Sequence, residues 1–171
     1  MRSPIDTRPP YGLMVWAVLS LILALAFYAA PLRIANGPDL MPMLPLMTLF
    51  IWSTVRPRFI PPIVIFVIGI LNDVLTGGVL GVWALAYLTS LTIARSRDED
   101  GPTREFGPVW IRFLVVLAIA IPVAWSAGSL AIGQPAPVRP LLIEGVASAL
   151  MFPLLAFIFI RRRNLRGTFG S

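Results

Sequence analysis

The sequence predicts an all-α polytopic membrane protein, a single membrane domain over residues 1–171 with six transmembrane helices. Three observations predict it: an apolar composition, a series of apolar runs of spanning length, and arginines concentrated on one set of flanks. Of the 171 residues, 57% are hydrophobic and 13% charged, whereas a soluble domain carries about 25% charged residues. Mean hydropathy is +0.84. At about 20 residues per membrane helix, the length accommodates about six spans and short connections.

The spans fall in order along the chain. The first, 13–30, is long enough to cross and has no small-x-small cleavage site beside a short apolar core, so it reads as a retained helix. The second, 40–55, is short and carries Pro42 and Pro45 near its start. Pro45 sits too deep in that span for a first-turn proline, so a kinked or partly unwound start is expected. The third, 60–76, and fourth, 79–94, are joined only by Thr76-Gly77-Gly78 and form a tight helical hairpin. The fifth, 110–132, has Pro122 near its middle, and the sixth, 141–160, contains Pro153. Proline inside a membrane helix frees a carbonyl that neighbours must re-satisfy; here the prolines read as kinks that set packing rather than as moving hinges.

Orientation follows from the cations, all of which are arginine. Arg2, Arg8, Arg56, Arg58, Arg95, Arg97, Arg104, Arg112, Arg161, Arg162, Arg163 and Arg166 lie on one set of flanks, and Arg33 and Arg139 on the other. Positive charge stays on the cytoplasmic side, so both termini are expected in the cytoplasm. Residues 95–109, of mixed charge with Gly101, Pro102 and Pro108, read as a cytoplasmic loop. Residues 161–171 read as a basic cytoplasmic tail drawn to anionic lipid headgroups. Arginines placed at helix ends also argue against nucleic acid as the partner of the +6 net charge.

The chain has no cysteine and no histidine. That excludes disulfides, thiol nucleophiles, thiolate or imidazole metal sites and histidine acid–base catalysis. No phosphate-loop or dinucleotide fingerprint is present. No catalytic, cofactor-binding or metal-binding residues are expected, and no cofactor.

The most informative residue is Asp73, within Gly69-Ile70-Leu71-Asn72-Asp73-Val74-Leu75-Thr76-Gly77-Gly78-Val79-Leu80-Gly81. A carboxylate inside a membrane helix costs about 2.5–3.5 kcal/mol on insertion scales, so it has a partner or a job. Three roles are open: binding a cation or substrate amine, relaying protons, or accepting hydrogen bonds that lock the hairpin. With Asn72 beside it and Gly77 after it, an N–H of the Gly77-Gly78 turn is the expected donor to Asp73. Gly69, Asp73, Gly77 and Gly81 follow one another at intervals of four, a spacing at which small residues let helices approach closely. Glu144 is the other acidic residue inside a span, on the same outer side as Asp73, and either reaches water or pairs. Trp16, Trp52, Trp83 and Trp110 fall toward span ends, as an interfacial aromatic belt does, and Trp125 lies deeper as a packing residue.

The block Gly69-Ile70-Leu71-Asn72-Asp73 with Leu80-Gly81, preceded by Pro45, Phe50-Ile51-Trp52 and Arg56-Pro57, resembles the rod shape-determining MreD family of bacterial proteins. That family shows Gly-x-x-x-Asp in its third span and a Pro-Leu-Gly step opening the next. Here Val79-Leu80-Gly81 stands in that place, a departure at one residue. The specific resemblance covers residues 45–88; spans one, five and six match only in general character.

The resemblance implies a non-enzymatic scaffold of the cell-elongation machinery in the bacterial inner membrane, supporting lateral peptidoglycan synthesis and rod shape. It implies direct binding of MreC and, through it, links to MreB, to RodA and to a class B penicillin-binding protein. It also implies a fold like the substrate-binding components of energy-coupling-factor transporters. Gly69, Asn72, Asp73, Gly77, Gly81 and Glu144 are the candidate structural or partner-binding residues. A vitamin-type small-molecule-binding component of a transporter is the alternative; it needs a polar, aromatic outer pocket, to which Asn72, Asp73, Trp83 and Glu144 would contribute. A lipid-modifying enzyme is disfavoured by two separated carboxylates and no histidine.

Overall fold

The computed structural model describes residues 11–29, 42–55, 60–96 and 106–167. These form six α-helices and no strand: α1 (Tyr11–Ala29), α2 (Leu44–Val55), α3 (Pro62–Thr76), α4 (Val82–Ser96), α5 (Phe106–Ile132) and α6 (Val138–Gly167). The arginines at 2, 8, 33, 56, 58, 97 and 104 lie outside the described residues, as does most of the expected loop 95–109. Its ends are helical: α4 runs to Ser96 and α5 begins at Phe106. The expected tail is helical too, since α6 continues to Gly167. Residues 161–166 hold no glycine or proline to stop it.

Two stretches are long and apolar enough to cross a membrane, Gly107–Ile132 and Val138–Phe157; the apolar parts of the other four helices are shorter. The shortest, α2, is the axis of the bundle. It touches α1, α3, α4, α5 and α6, while the others touch in the order α1, α3, α4, α5, α6. Among the described residues α1 and α6 make no close backbone approach, so the ring has a seam there. Met43, Leu46, Met47, Leu49 and Phe50 are at most 2% exposed. α2 is mostly apolar because all five other helices pack around it.

The outer helices show the expected one-sided pattern. Buried positions are Ala17, Leu21, Ala24 and Leu25 on α1, and Val109, Phe113, Val116, Leu117, Ala120 and Ala124 on α5. Both follow the i, i+4, i+7 spacing of a single helical stripe. The opposite faces carry exposed Leu19, Ile22, Leu23, Phe27 and Ile111. Phe50, Phe113 and Phe152 meet at the centre: Phe50 packs tilted or edge-on against the other two at 5.4 and 5.5 Å between ring centroids, a favourable aromatic arrangement, and Phe113 stacks on Phe152 at 4.1 Å.

The prolines differ in their consequences. Helix α2 begins at Leu44, and its first internal bond runs from Met47 N–H to Met43 C=O. Pro45 is therefore a first-turn proline after all, where its missing N–H has no helical partner to lose. Of the expected kinked or partly unwound start, the structure has the unwound form: residues 42–43 are not helical, and α2 starts at Leu44. Pro153 lies inside α6 and deprives the Ala149 carbonyl of its i+4 donor. The indole N–H of Trp110 on α5 donates to that carbonyl at 3.1 Å. A side chain of the neighbouring helix thus supplies the bond that the proline removed. Of the tryptophans expected in a belt, Trp52 and Trp83 are instead core residues, each 9% exposed, and the Trp52 indole donates to Ser20 Oγ of α1.

Helices α3 and α4 pack closest at Gly69. A Cβ there would fall on the Ala84 backbone, 2.6 Å from its nitrogen. Gly69→Ala is expected to destabilise the protein by about 1–3 kcal/mol through overpacking. Gly128→Ala on α5, where an added Cβ meets nothing within 4 Å, is expected to be neutral or to gain up to about 1 kcal/mol from helix propensity. Thermal unfolding in detergent compares the two. In the same assay Trp110→Phe is expected to lower stability by about 1–2 kcal/mol through the orphaned Ala149 carbonyl. In a Pro153→Ala background, where the helix supplies its own donor, that loss shrinks; equal losses in both backgrounds would separate Trp110 from the proline.

Candidate functional site

The hairpin of α3 and α4 is organised around Asp73. Helix α3 starts with Pro62 at its first position, preset by its ring for helical φ. It ends in a left-handed residue, Gly77, with φ of 67°. There the Gly78 amide donates to the Asp73 carbonyl at 2.9 Å and the Gly77 amide to the Val74 carbonyl at 3.4 Å. This pair of bonds is a Schellman closure, which needs a residue that tolerates positive φ.

Helix α4 starts at Val82, five residues after Gly77. The Leu85 amide donates to the Gly81 carbonyl at 2.9 Å, which makes Gly81 the residue just before the first helical turn. A serine or aspartate there would accept the next free amides with its own side chain, but glycine has none. The Asp73 carboxylate takes that place from the end of α3. Its Oδ2 accepts from the Gly81 amide at 2.8 Å and its Oδ1 from the Trp83 amide at 3.1 Å. One residue therefore closes α3 with its carbonyl and caps α4 with its side chain. A carboxylate in this position also faces the positive end of the α4 dipole.

The expected donors are corrected accordingly. The side chain of Asp73 bonds not to the Gly77-Gly78 turn but to the start of α4, and the turn's amides go to backbone carbonyls. The spacing of four at Gly69, Gly77 and Gly81 also divides into separate roles. Gly69 lets the helices touch, whereas an added Cβ at Gly77 or Gly81 meets nothing within 4 Å. Those two are set by φ, 67° and 95°, conformations that a side chain disfavours.

Asn72 and Asp73 are both 0% exposed. The Asn72 amide donates to the Tyr87 hydroxyl of α4 at 3.2 Å, and the Tyr87 ring lies 5.5 Å from that of Trp83. Asn72 Oδ1 is buried without a hydrogen-bond partner.

Glu144 is not part of this cap. It lies in the second turn of α6, where its carboxylate accepts from the Tyr28 hydroxyl of α1 at 3.1 Å, across the seam. Its carbonyl accepts from Ser148 Oγ at 2.6 Å, and that hydroxyl oxygen accepts from the Met43 amide at 2.7 Å at the head of α2. Tyr28, Glu144, Ser148 and Met43 thus tie three helices together. Tyr28, Tyr87 and Ser148 were missed by sequence reasoning. Ser148 alone carried a signal, a polar residue four places from Glu144 inside an apolar span. Among the described residues no three acidic side chains gather as a metal site would require.

Replacing Asp73 with alanine is expected to strand the Gly81 and Trp83 amides and to destabilise the protein by about 1–3 kcal/mol for each one left buried and unpaired. Asp73→Asn, which keeps one acceptor oxygen, is expected to lose less. Hydrogen–deuterium exchange is the sharper readout: the first turn of α4 is expected to exchange faster in both variants, while α6 around Gly145, which packs against Ile121 of α5, keeps its protection.

No curated protein and no solved structure matches the chain significantly. A family model does: that of the rod shape-determining protein MreD, over residues 10–163. The match runs from just before α1 into the last turns of α6, through the Asp73 hairpin and the Glu144 relay. The chain therefore belongs to the MreD family.

Proposed function

We propose that this protein is a non-enzymatic scaffold of the cell-elongation machinery, binding MreC in the inner membrane and supporting lateral peptidoglycan synthesis. The observation that carries the proposal is the family match over residues 10–163, which gives the chain a role in rod shape determination. MreB, RodA and a class B penicillin-binding protein are the indirect partners under this reading. The candidate residues fit a scaffold. Asp73, Gly77, Gly81 and Glu144 all engage in holding helices in register, and a scaffold needs a fixed surface more than it needs chemistry.

The same reading takes all six helices as spans of one membrane domain, with both termini, the 95–109 connection and the 161–171 tail in the cytoplasm. The distribution of arginines supports it, since charge bias sets topology. A kinship of fold with the substrate-binding components of energy-coupling-factor transporters belongs to this proposal as well, supported by six helices in one bundle.

Affinity purification in mild detergent tests the partner: MreC is expected to accompany the wild-type chain, and depletion of the chain is expected to round rod-shaped cells. Absence of MreC together with unchanged cell shape would overturn the reading. Reporter fusions at Ser171 test the topology separately, with a cytoplasmic signal expected.

A further inference from the structure

Asn72 carries an unmet hydrogen bond into the contact between α3 and α4. Its side chain is 0% exposed, and its Nδ2 donates to the Tyr87 hydroxyl at 3.2 Å. Its Oδ1 is buried with no partner, the one such side-chain atom among the described residues. A polar atom kept from water in this way gives up a bond that the unfolded chain has. Native structures seldom leave one open.

Tyr87 carries the complementary need. It is 1% exposed. Among the described residues its hydroxyl makes one hydrogen bond, in which the oxygen accepts from Asn72. A phenol also donates, and this proton has no acceptor there. An open acceptor on Asn72 therefore lies beside an open donor on Tyr87. Turning the Asn72 amide over does not remove the problem. The Tyr87 proton would then reach Oδ1, but both Nδ2 hydrogens would be buried without an acceptor.

The polar groups that neighbour Asn72 along the chain are already engaged. The Asp73 carboxylate takes the Gly81 and Trp83 amides. The Thr76 hydroxyl donates to the Asn72 carbonyl at 2.8 Å, and the Gly77 and Gly78 amides close the end of α3. Nothing can reach the pair from outside the bundle, because neither side chain comes to its surface. The surroundings are nonetheless polar: the Tyr87 hydroxyl lies within electrostatic reach of Tyr28, Asp73 and Glu144. Buried polar sites hold water, whereas cavities that stay empty are apolar.

We propose that one water molecule is bound between Asn72 and Tyr87. It donates to Asn72 Oδ1 and accepts from the Tyr87 hydroxyl. With the bond from Nδ2 to that hydroxyl, it closes a ring of three hydrogen bonds. A primary amide suits such a ring, since it offers a donor and an acceptor side by side. A cation would answer Oδ1 but not the Tyr87 proton, and an anion would do the reverse; water answers both. The water ties α3 to α4 beside the Asp73 cap, with a bridged bond about as good as a direct one. This inference stands apart from the scaffold reading, since it rests on the hairpin alone.

The sequence makes the test specific. The chain has three asparagines, Asn36, Asn72 and Asn164, and neither Asn36 nor Asn164 lies in α3 or α4. In the double variant Asn36→Asp, Asn164→Asp, prepared with side-chain 15N-asparagine in detergent micelles, Asn72 supplies the sole labelled amide. Water-selected NOE and ROE spectra are then recorded. Direct contact with a held water is expected to give cross-peaks to the Asn72 amide protons, of opposite sign in the two spectra. Absence of cross-peaks would mean a dry amide and would overturn the proposal. Adding Tyr87→Phe removes the hydroxyl proton, which exchanges with solvent and would relay a signal of its own. The cross-peaks are expected to persist in that triple variant; their loss would trace them to the hydroxyl and sink the bound water.

Discussion

The fold depends on one carboxylate serving two helices. A tight turn between membrane helices leaves free carbonyls at the end of the first and free amides at the start of the second, in a place with little water to take them. In this chain Asp73 addresses both. Its carbonyl receives the Gly78 amide and its side chain receives the Gly81 and Trp83 amides. Because the side chain comes from α3 and the amides from α4, the cap also fixes how the two helices stand against each other. Gly69 can then bring α3 onto the Ala84 backbone only because the hairpin's other end is already in register.

The same economy recurs elsewhere in the bundle. Two further polar side chains in it answer backbone groups that an irregularity left open. Trp110 answers the carbonyl freed by Pro153, and Ser148 answers the Met43 amide at the head of α2. Glu144 holds Tyr28 across the one seam in the ring. In a medium without water such bonds are what permits prolines and turns among membrane helices at all. They give the bundle its specificity, since apolar faces alone would pack against lipid nearly as well as against each other.

Much of this was legible in the residues. The six helices follow from apolar runs broken by Gly, Pro and charge, and Asp73 was conspicuous because a carboxylate in an apolar segment demands a reason. The direction of its bonds was not legible. Local sequence favours the nearby Gly77-Gly78 amides, and only the Schellman closure, which occupies those amides, turns the carboxylate toward α4. Pro45 was misplaced for a related reason: helix starts are set by where the first bond closes, here Met47 to Met43, and hydropathy does not see that. Trp52 and Trp83 looked interfacial by position, but α2 is central and α3–α4 is short, so span ends in this chain are not at the bundle's surface. Contacts between distant helices, such as Tyr28 with Glu144, carry no pattern within either helix.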